Sequence, residues 1–184
     1  MFTIPDFFDA ATRAQLLAEL RAATVTDATV YGGAQSVDLR VRRTKHVSVS
    51  DATRALVIRK LEEQRAALAR HFEQSVDEIE TPQFLRYTAG DFFVAHQDGN
   101  TPLIRDETRF RKISIVIFIS PPGDYEGGEL LLHGRYPDYE LRERAPADSG
   151  TLIAFRAETT HEVTPLTAGE RYTIVSWYRL NSTP

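Results

Sequence analysis

The stretch Phe92-Phe93-Val94-Ala95-His96-Gln97-Asp98-Gly99 decides how this chain is read. Its aromatic and β-branched run lies between two turn signals, Ala89-Gly90 and Gly99-Asn100, and predicts a strand over 91–98. Residues i and i+2 of a strand share a face. His96 and Asp98 therefore converge on one small object, for which a divalent metal is the natural candidate. A second stretch, from Phe155 to Tyr178, supplies His161 as a third ligand. Arg171 then opens a further strand, with Thr173 two residues along on the same face.

Outward from these stretches the pattern is β-rich. From Pro82 onward, strands are predicted at 83–87, 91–98, 112–120, 128–133, 139–143, 150–156, 161–164 and 170–180. Turn signals such as Pro121-Pro122-Gly123, Gly127-Gly128, Ser149-Gly150 and Ala168-Gly169 separate them. Short strands at this spacing argue for a sandwich or jelly roll. The nearly continuous apolar run Lys112–Ser120 marks a central strand.

Before Pro82 the texture is helical. Phe2, Ile4, Phe7 and Phe8 suggest an edge strand, and Asp9 caps a helix over 10–23 that buries Leu16, Leu17 and Leu20. Residues 24–49 show a turn at Tyr31-Gly32-Gly33 and strand fragments broken by the basic run Arg40–Lys45, which reads first as a solvated surface and otherwise as the lip of a cleft. Ser50 or Asp51 caps a helix over 51–72, with Val57, Leu61, Leu68 and Phe72 inward and Gln64 as the polar interruption. The expected architecture is mainly β with N-terminal helices. It forms one domain over 1–184, with 1–80 as helical support and 81–184 as a jelly-roll core.

Bulk properties exclude several classes. Hydrophobic content of 42% and charged content of 26% over 184 residues are those of an ordinary globular chain. A net charge of −4 gives no basic face for nucleic acid. With no cysteine, disulfides, zinc-thiolate sites and thiol nucleophiles are excluded. The N-terminal residues lack the pattern of a signal peptide, and no apolar run approaches the roughly 20 residues needed to span a bilayer. A cytoplasmic location with no membrane partner is expected, and oligomeric state is not legible.

The ligand set carries the chemistry. Two histidines and one carboxylate on one face of an octahedron, with open positions opposite, describe the facial triad of non-haem Fe(II) oxygenases. A 2-oxo acid fills two open positions and dioxygen the third. The distal carboxylate of 2-oxoglutarate then needs a planar cation, which Arg171 can supply bidentately, with Thr173 as a hydroxyl donor. Other readings stay open for individual residues. Tyr87 fits a core tyrosine, and Arg171 fits a surface pair with Glu162 or Glu170. Gly127-Gly128 reads as a turn, His133 as a strand residue near the surface, and His46 and His71 match nothing. The loop Gly99–Arg111 reads either as a lid or as a solvated connection.

Residues 83–180 resemble the prolyl 4-hydroxylase-type branch of the Fe(II)/2-oxoglutarate-dependent dioxygenases. The resemblance runs through Arg86-Tyr87-Thr88-Ala89-Gly90-Asp91 into His96-Gln97-Asp98, then Gly127-Gly128-Glu129-Leu130, Pro146 through Gly150 to Phe155, His161-Glu162-Val163, and Gly169-Glu170-Arg171 through Trp177. It implies a double-stranded β-helix, iron held by His96, Asp98 and His161, and 2-oxoglutarate held by Arg171 with Tyr87 as a second donor. Dioxygen is the implied cosubstrate and ascorbate a further candidate cofactor. The implied reaction is hydroxylation of an unactivated C–H bond, first on a prolyl residue of a peptide or protein. A free amino acid or other small metabolite is the alternative substrate, and a non-catalytic cupin-like metal-binding or sensor protein the alternative function. Collagen-type members carry Lys where Arg171 stands, which sets this chain nearer the oxygen-sensor and bacterial members. The carboxylate of Asp98 argues for hydroxylation over halogenation, which needs that metal position vacant.

Overall fold

Both expected helices start where a side chain can cap them. In the computed structural model, which describes residues 1–28, 38–134 and 139–181, α1 spans Ala10–Ala22 and α2 spans Asp51–Phe72. Asp9 accepts from the Thr12 amide at 2.7 Å, and Ser50 accepts from the Thr53 amide at 3.2 Å. Glu73, at φ 53°, ends α2 in the left-handed region. The stripe Val57, Leu61, Leu68 and Phe72 is buried, as its spacing predicts, and Gln64 is half-buried.

The described strands, in chain order, are β1 Phe2–Ile4, β2 Val25–Asp27, β3 Arg42–Arg43, β4 Lys45–Val47, β5 Glu78–Ile79, β6 Gln83–Thr88 and β7 Phe92–His96. They continue with β8 Arg111–Phe118, β9 Tyr125–Gly127, β10 Leu130–His133, β11 Leu141–Arg144, β12 Leu152–Arg156, β13 His161–Val163 and β14 Leu166–Arg179. The major sheet runs β1-β12-β8-β14-β6-β4-β2, with β5 and β9 also pairing β14; the minor sheet runs β11-β10-β13-β7-β3. This is the expected jelly roll.

Strand β8 lies between β12 and β14 and is covered on both faces. Ile113, Ile115 and Ile117 join a core with Leu16, Leu20, Val57, Leu61 and Leu68 of the helices. Phe118 faces the other way, into a core with Leu130, Leu132, Ile153 and Phe155 between the sheets. Burial on both faces explains its lack of polar alternation.

Three expectations are revised. Residues 24–49 contribute β2 and β4 to the major sheet and β3 to the minor one, so the basic run is woven into both sheets. Arg42 within it is buried, because pairing β3 with β7 turns its side chain inward. Ala168-Gly169, read as a turn, lies inside β14 at a bulge where β9 passes, and a Cβ on Gly169 would meet the Asp124 carbonyl at 2.0 Å. The predicted turn at Tyr31-Gly32-Gly33 lies outside the described residues. No described helix is long and apolar enough to cross a membrane.

Candidate active site

Antiparallel pairing of β7 with β13 sets His96 directly opposite His161, and their rings lie 4.2 Å apart. Asp98 follows two residues beyond His96, just past the strand end. The amides of Asp98 and Gly99 both donate to the Ala157 carbonyl, at 2.9 and 3.1 Å, which clasps this segment to the corner after β12. Gly99 has no room for a side chain: a Cβ there would sit 2.4 Å from the Thr108 carbonyl oxygen and 2.6 Å from Arg111 Cβ.

One ligand atom from each of His96, Asp98 and His161 lies within 4.8 Å of the others. The His96 Nε2 is 3.5 Å from Asp98 Oδ1, and the His161 Nε2 is 3.4 Å from Asp98 Oδ2. Each imidazole donates Nδ1–H to a backbone carbonyl, His96 to Val94 at 2.8 Å and His161 to Thr159 at 3.0 Å. Those bonds set the tautomer and leave both Nε2 lone pairs aimed at the gap beside Asp98. Phe93 stacks on the His96 ring at 3.6 Å, and Phe155 meets the His161 ring edge-on at 4.7 Å.

Electrostatics agree with a ligand role. Burial, then the neighbouring His96, push His161 down to about 4 against the pull of Asp98, so the imidazole is neutral near pH 7. Burial would raise the Asp98 carboxyl, but His161, His96 and Arg111 together outweigh it and hold the group well below the usual range. Ser114 on β8 also donates to Asp98 Oδ2 at 2.6 Å. The donor set is thus two imidazole nitrogens and a carboxylate, a set that suits iron of the facial-triad kind.

A cavity of about 650 Å³ opens beside these three residues and reaches Arg171. Arg171 is 2% exposed, and its guanidinium carbon lies 4.4 Å from the centre of the Tyr87 ring, its cross-strand partner. Its Nη1 donates to the Gly128 carbonyl. Among the described residues it forms no ion pair, and its buried Nε has no hydrogen-bond partner. Burial accordingly pushes its pKa down. The surface pairs weighed from the sequence do not form: Glu170 pairs with Arg86, and Glu162 with His133. Thr173 and Tyr87 line the same cavity.

Several residues of the site carry no motif. Ser114 shows in the sequence only as a hydroxyl inside an apolar run. Gly128, read as a turn, is also the acceptor for Arg171, and a Cβ on it would meet Leu166 Cδ1 at 2.4 Å. Arg42 lines the cavity with its guanidinium carbon 5.0 Å from the centre of the Phe93 ring. In the Gly99–Arg111 loop, Leu103, Ile104, Arg105 and Asp106 form one wall, so the loop is part of the site rather than a plain connection.

A family model described as the 2OG-Fe(II) oxygenase superfamily matches residues 82–179, which hold the whole His–Asp–His group and Arg171. The chain belongs to that superfamily. It is 37% identical over 98 residues to a PKHD-type hydroxylase of Paracoccus denitrificans, covering 52% of this chain and 41% of that protein. A PKHD-type hydroxylase of Burkholderia ambifaria is 33% identical over 184 residues, covering 96% of this chain and 77% of the relative. With the first relatives the match spans 41–43% of their length. Among solved structures, a Pseudomonas putida prolyl-4-hydroxylase superposes with a TM-score of 0.76 at 19% identity, covering 98% of this chain and 92% of that one. A Trichoplax adhaerens prolyl hydroxylase, solved with a peptide fragment of a hypoxia inducible factor, gives 0.73 at 17% identity, covering 97% and 82%. Identities this low speak for a shared fold.

Proposed function

We propose that this member of the superfamily is a hydroxylase acting on an unactivated C–H bond, foremost on a prolyl residue in a peptide or protein. Superfamily membership brings Fe(II), 2-oxoglutarate and dioxygen. The observation that carries the reading for this chain is Arg171: a buried guanidinium without a carboxylate partner among the described residues, in the cavity that also holds His96, Asp98 and His161. A dicarboxylate whose distal end meets Arg171 answers that unpaired charge.

In this reading His96, Asp98 and His161 hold the iron through Nε2, a carboxylate oxygen and Nε2. When bound, the metal supplies coordination and electrons for dioxygen, so that 2-oxoglutarate leaves as succinate and CO₂ and one oxygen atom enters the substrate. The remaining work belongs to the protein. Arg171 fixes the distal carboxylate, and Thr173 and Tyr87 offer neutral donors beside it. Phe118, Leu130 and Val163 make that end of the cavity apolar and keep water from it. Ser114 restrains the Asp98 carboxylate, and the two backbone carbonyls keep the imidazoles turned toward the metal.

A peptide substrate is supported by the peptide-bound prolyl hydroxylase among the structural neighbours and by the PKHD-type relatives. Ascorbate, a cytoplasmic location and the treatment of 1–184 as one dioxygenase unit belong to the same proposal. The last is supported by the core that the helices share with the major sheet. The test is turnover: anaerobic protein with Fe(II) and 2-oxoglutarate should show the metal-to-ligand absorption band. Admitting air with prolyl peptides should then release succinate in step with addition of one oxygen atom to the peptide. Succinate release that no prolyl peptide stimulates would move the substrate to the small-metabolite class.

A further inference from the structure

Away from Arg171, the cavity holds further buried polar atoms with no hydrogen-bond partner, and two of them are close neighbours. They are the Gln83 Oε1 on β6 and the Trp177 Nε1 on β14. Val175 faces Gln83 across the strand pair, and Trp177 stands two residues farther along β14 on the same face. The two side chains are thus diagonal neighbours, about 7–8 Å apart at the backbone and within reach of one ligand group. One of these atoms is a hydrogen-bond acceptor, whereas the indole N–H can only donate.

We propose that Gln83 and Trp177 form the subsite that binds a secondary amide of the substrate, the Gln83 Oε1 accepting its N–H and the Trp177 Nε1–H donating to its carbonyl. This rests on the peptide reading above and deepens it. Chemistry discriminates among candidate ligands. An apolar group leaves both atoms dry and unpaired. A carboxylate satisfies the indole but sets a negative charge against the Gln83 oxygen. An ester offers a carbonyl but no N–H. A secondary amide supplies both partners, with its N–H and C=O on adjacent atoms. The bond preceding proline is tertiary and has no N–H, so the nearest suitable amide is the one on the carboxyl side of a prolyl residue.

Position and rigidity support the assignment. Along one face of β14 lie Arg171, Thr173, Val175 and Trp177, which at about 3.3 Å per residue puts Trp177 about 20 Å from the cosubstrate's anchor. Trp177 is the cross-strand partner of Ser114, the residue bonded to Asp98, so an amide held there brings its neighbouring C–H bonds toward the metal. The indole is 7% exposed, and Arg111 is fixed 3.6 Å above its ring. Arg111 is itself held by Glu80 through two bonds of 2.8 and 2.6 Å. A donor locked in this way makes for selectivity, because a ligand that lacks the matching acceptor or donor leaves the site's own group unpaired.

Trp177 is the sole tryptophan of the chain, so its indole N–H gives a single, unambiguous NMR resonance. The experiment uses Zn(II)-loaded protein with 2-oxoglutarate and two neutral probes of nearly equal size, N-acetylproline methylamide and N-acetylproline methyl ester. The methylamide should move the indole resonance downfield saturably, and the ester should bind at least tenfold more weakly. Gln83→Leu should erase the preference for the amide, whereas Gln83→Glu, which keeps the acceptor, should retain it. Equal affinity for the two probes in the parent protein, or an indole resonance that neither probe moves, overturns the assignment. Failure of the cosubstrate reading is separate, since it appears as loss of 2-oxoglutarate binding in the same sample before any probe is added.

Discussion

At the residue scale, Arg171 carries an electrostatic cost that its own fold does not offset. Its guanidinium is buried against Tyr87 and Phe118, with a carbonyl for one nitrogen and nothing for Nε. Removing one partner of a buried charge pair costs about 2–5 kcal/mol, so Arg171→Ala should weaken 2-oxoglutarate by roughly thirty-fold to several-thousand-fold and spare metal binding. Arg171→Lys, which keeps the charge and loses the fork, should fall between. Titrating 2-oxoglutarate into anaerobic Fe(II) protein and following the absorption band measures both. The same logic gives a less intuitive outcome without cosubstrate. Arg171→Met removes a buried charge that lacks a counter-ion, so its melting temperature should equal or exceed the parent's, while the rise that 2-oxoglutarate gives the parent disappears. A Met variant that melts well below the cosubstrate-free parent would show that the protein satisfies the guanidinium by itself. Ser114 acts on the metal side. Ser114→Ala should lower metal affinity about ten- to hundred-fold by freeing the Asp98 carboxylate, as read by competition with a chelator.

At the element scale, the site depends on how strands register. The spacing His96-x-Asp98 is legible in the sequence, although β7 ends at His96 and not at the expected residue 98, so that the clasp to Ala157 rather than the strand period brings Asp98 round. The caps of α1 and α2 are legible because capping is local. The pairing of His96 with His161 is a long-range choice of register, and nothing local encodes it. Arg42-Arg43 shows the same limit from the other side. Two adjacent arginines carry no strand signal, yet pairing with β7 makes them β3 and buries Arg42 in the cavity wall. Gln83 and Ser114 were invisible for a related reason: their function lies in what a neighbouring strand places opposite them. The turn after β7 offers a direct test of this dependence. Gly99→Ala puts a methyl group against the Thr108 carbonyl and Arg111 Cβ, both too close to accept it. The protein should stay folded with a cost of about 1–3 kcal/mol. Displacement of Asp98 should lower iron affinity at least as much as Ser114→Ala does. Iron binding unchanged by Gly99→Ala would mean that the loop yields without moving the ligand.

At the scale of the whole molecule, scaffold and site use opposite faces of the major sheet. Its outer face packs on α1 and α2 through Ile113, Ile115, Ile117 and Ile174, and its inner face carries Arg171, Thr173 and Trp177. Leu61 is at the centre of the outer contact with 0% exposure, and its carbonyl accepts from the Tyr178 hydroxyl at 2.7 Å. Leu61→Ala keeps that backbone acceptor and removes only apolar volume. The expected loss of stability is about 2–5 kcal/mol, the sum of lost transfer energy and the cavity left behind. Chemical denaturation of the metal-free protein would read it as a lower midpoint with an unchanged slope. At a temperature where the variant is still folded, its affinities for iron and for 2-oxoglutarate should match the parent's, because Leu61 packs on the face of β8 and β14 opposite to the one that carries Arg171, Thr173 and Trp177. A variant as stable as the parent would remove α2 from the account of the core. A stable fold with weakened 2-oxoglutarate binding would instead show that the outer layer sets the position of Arg171 through β14.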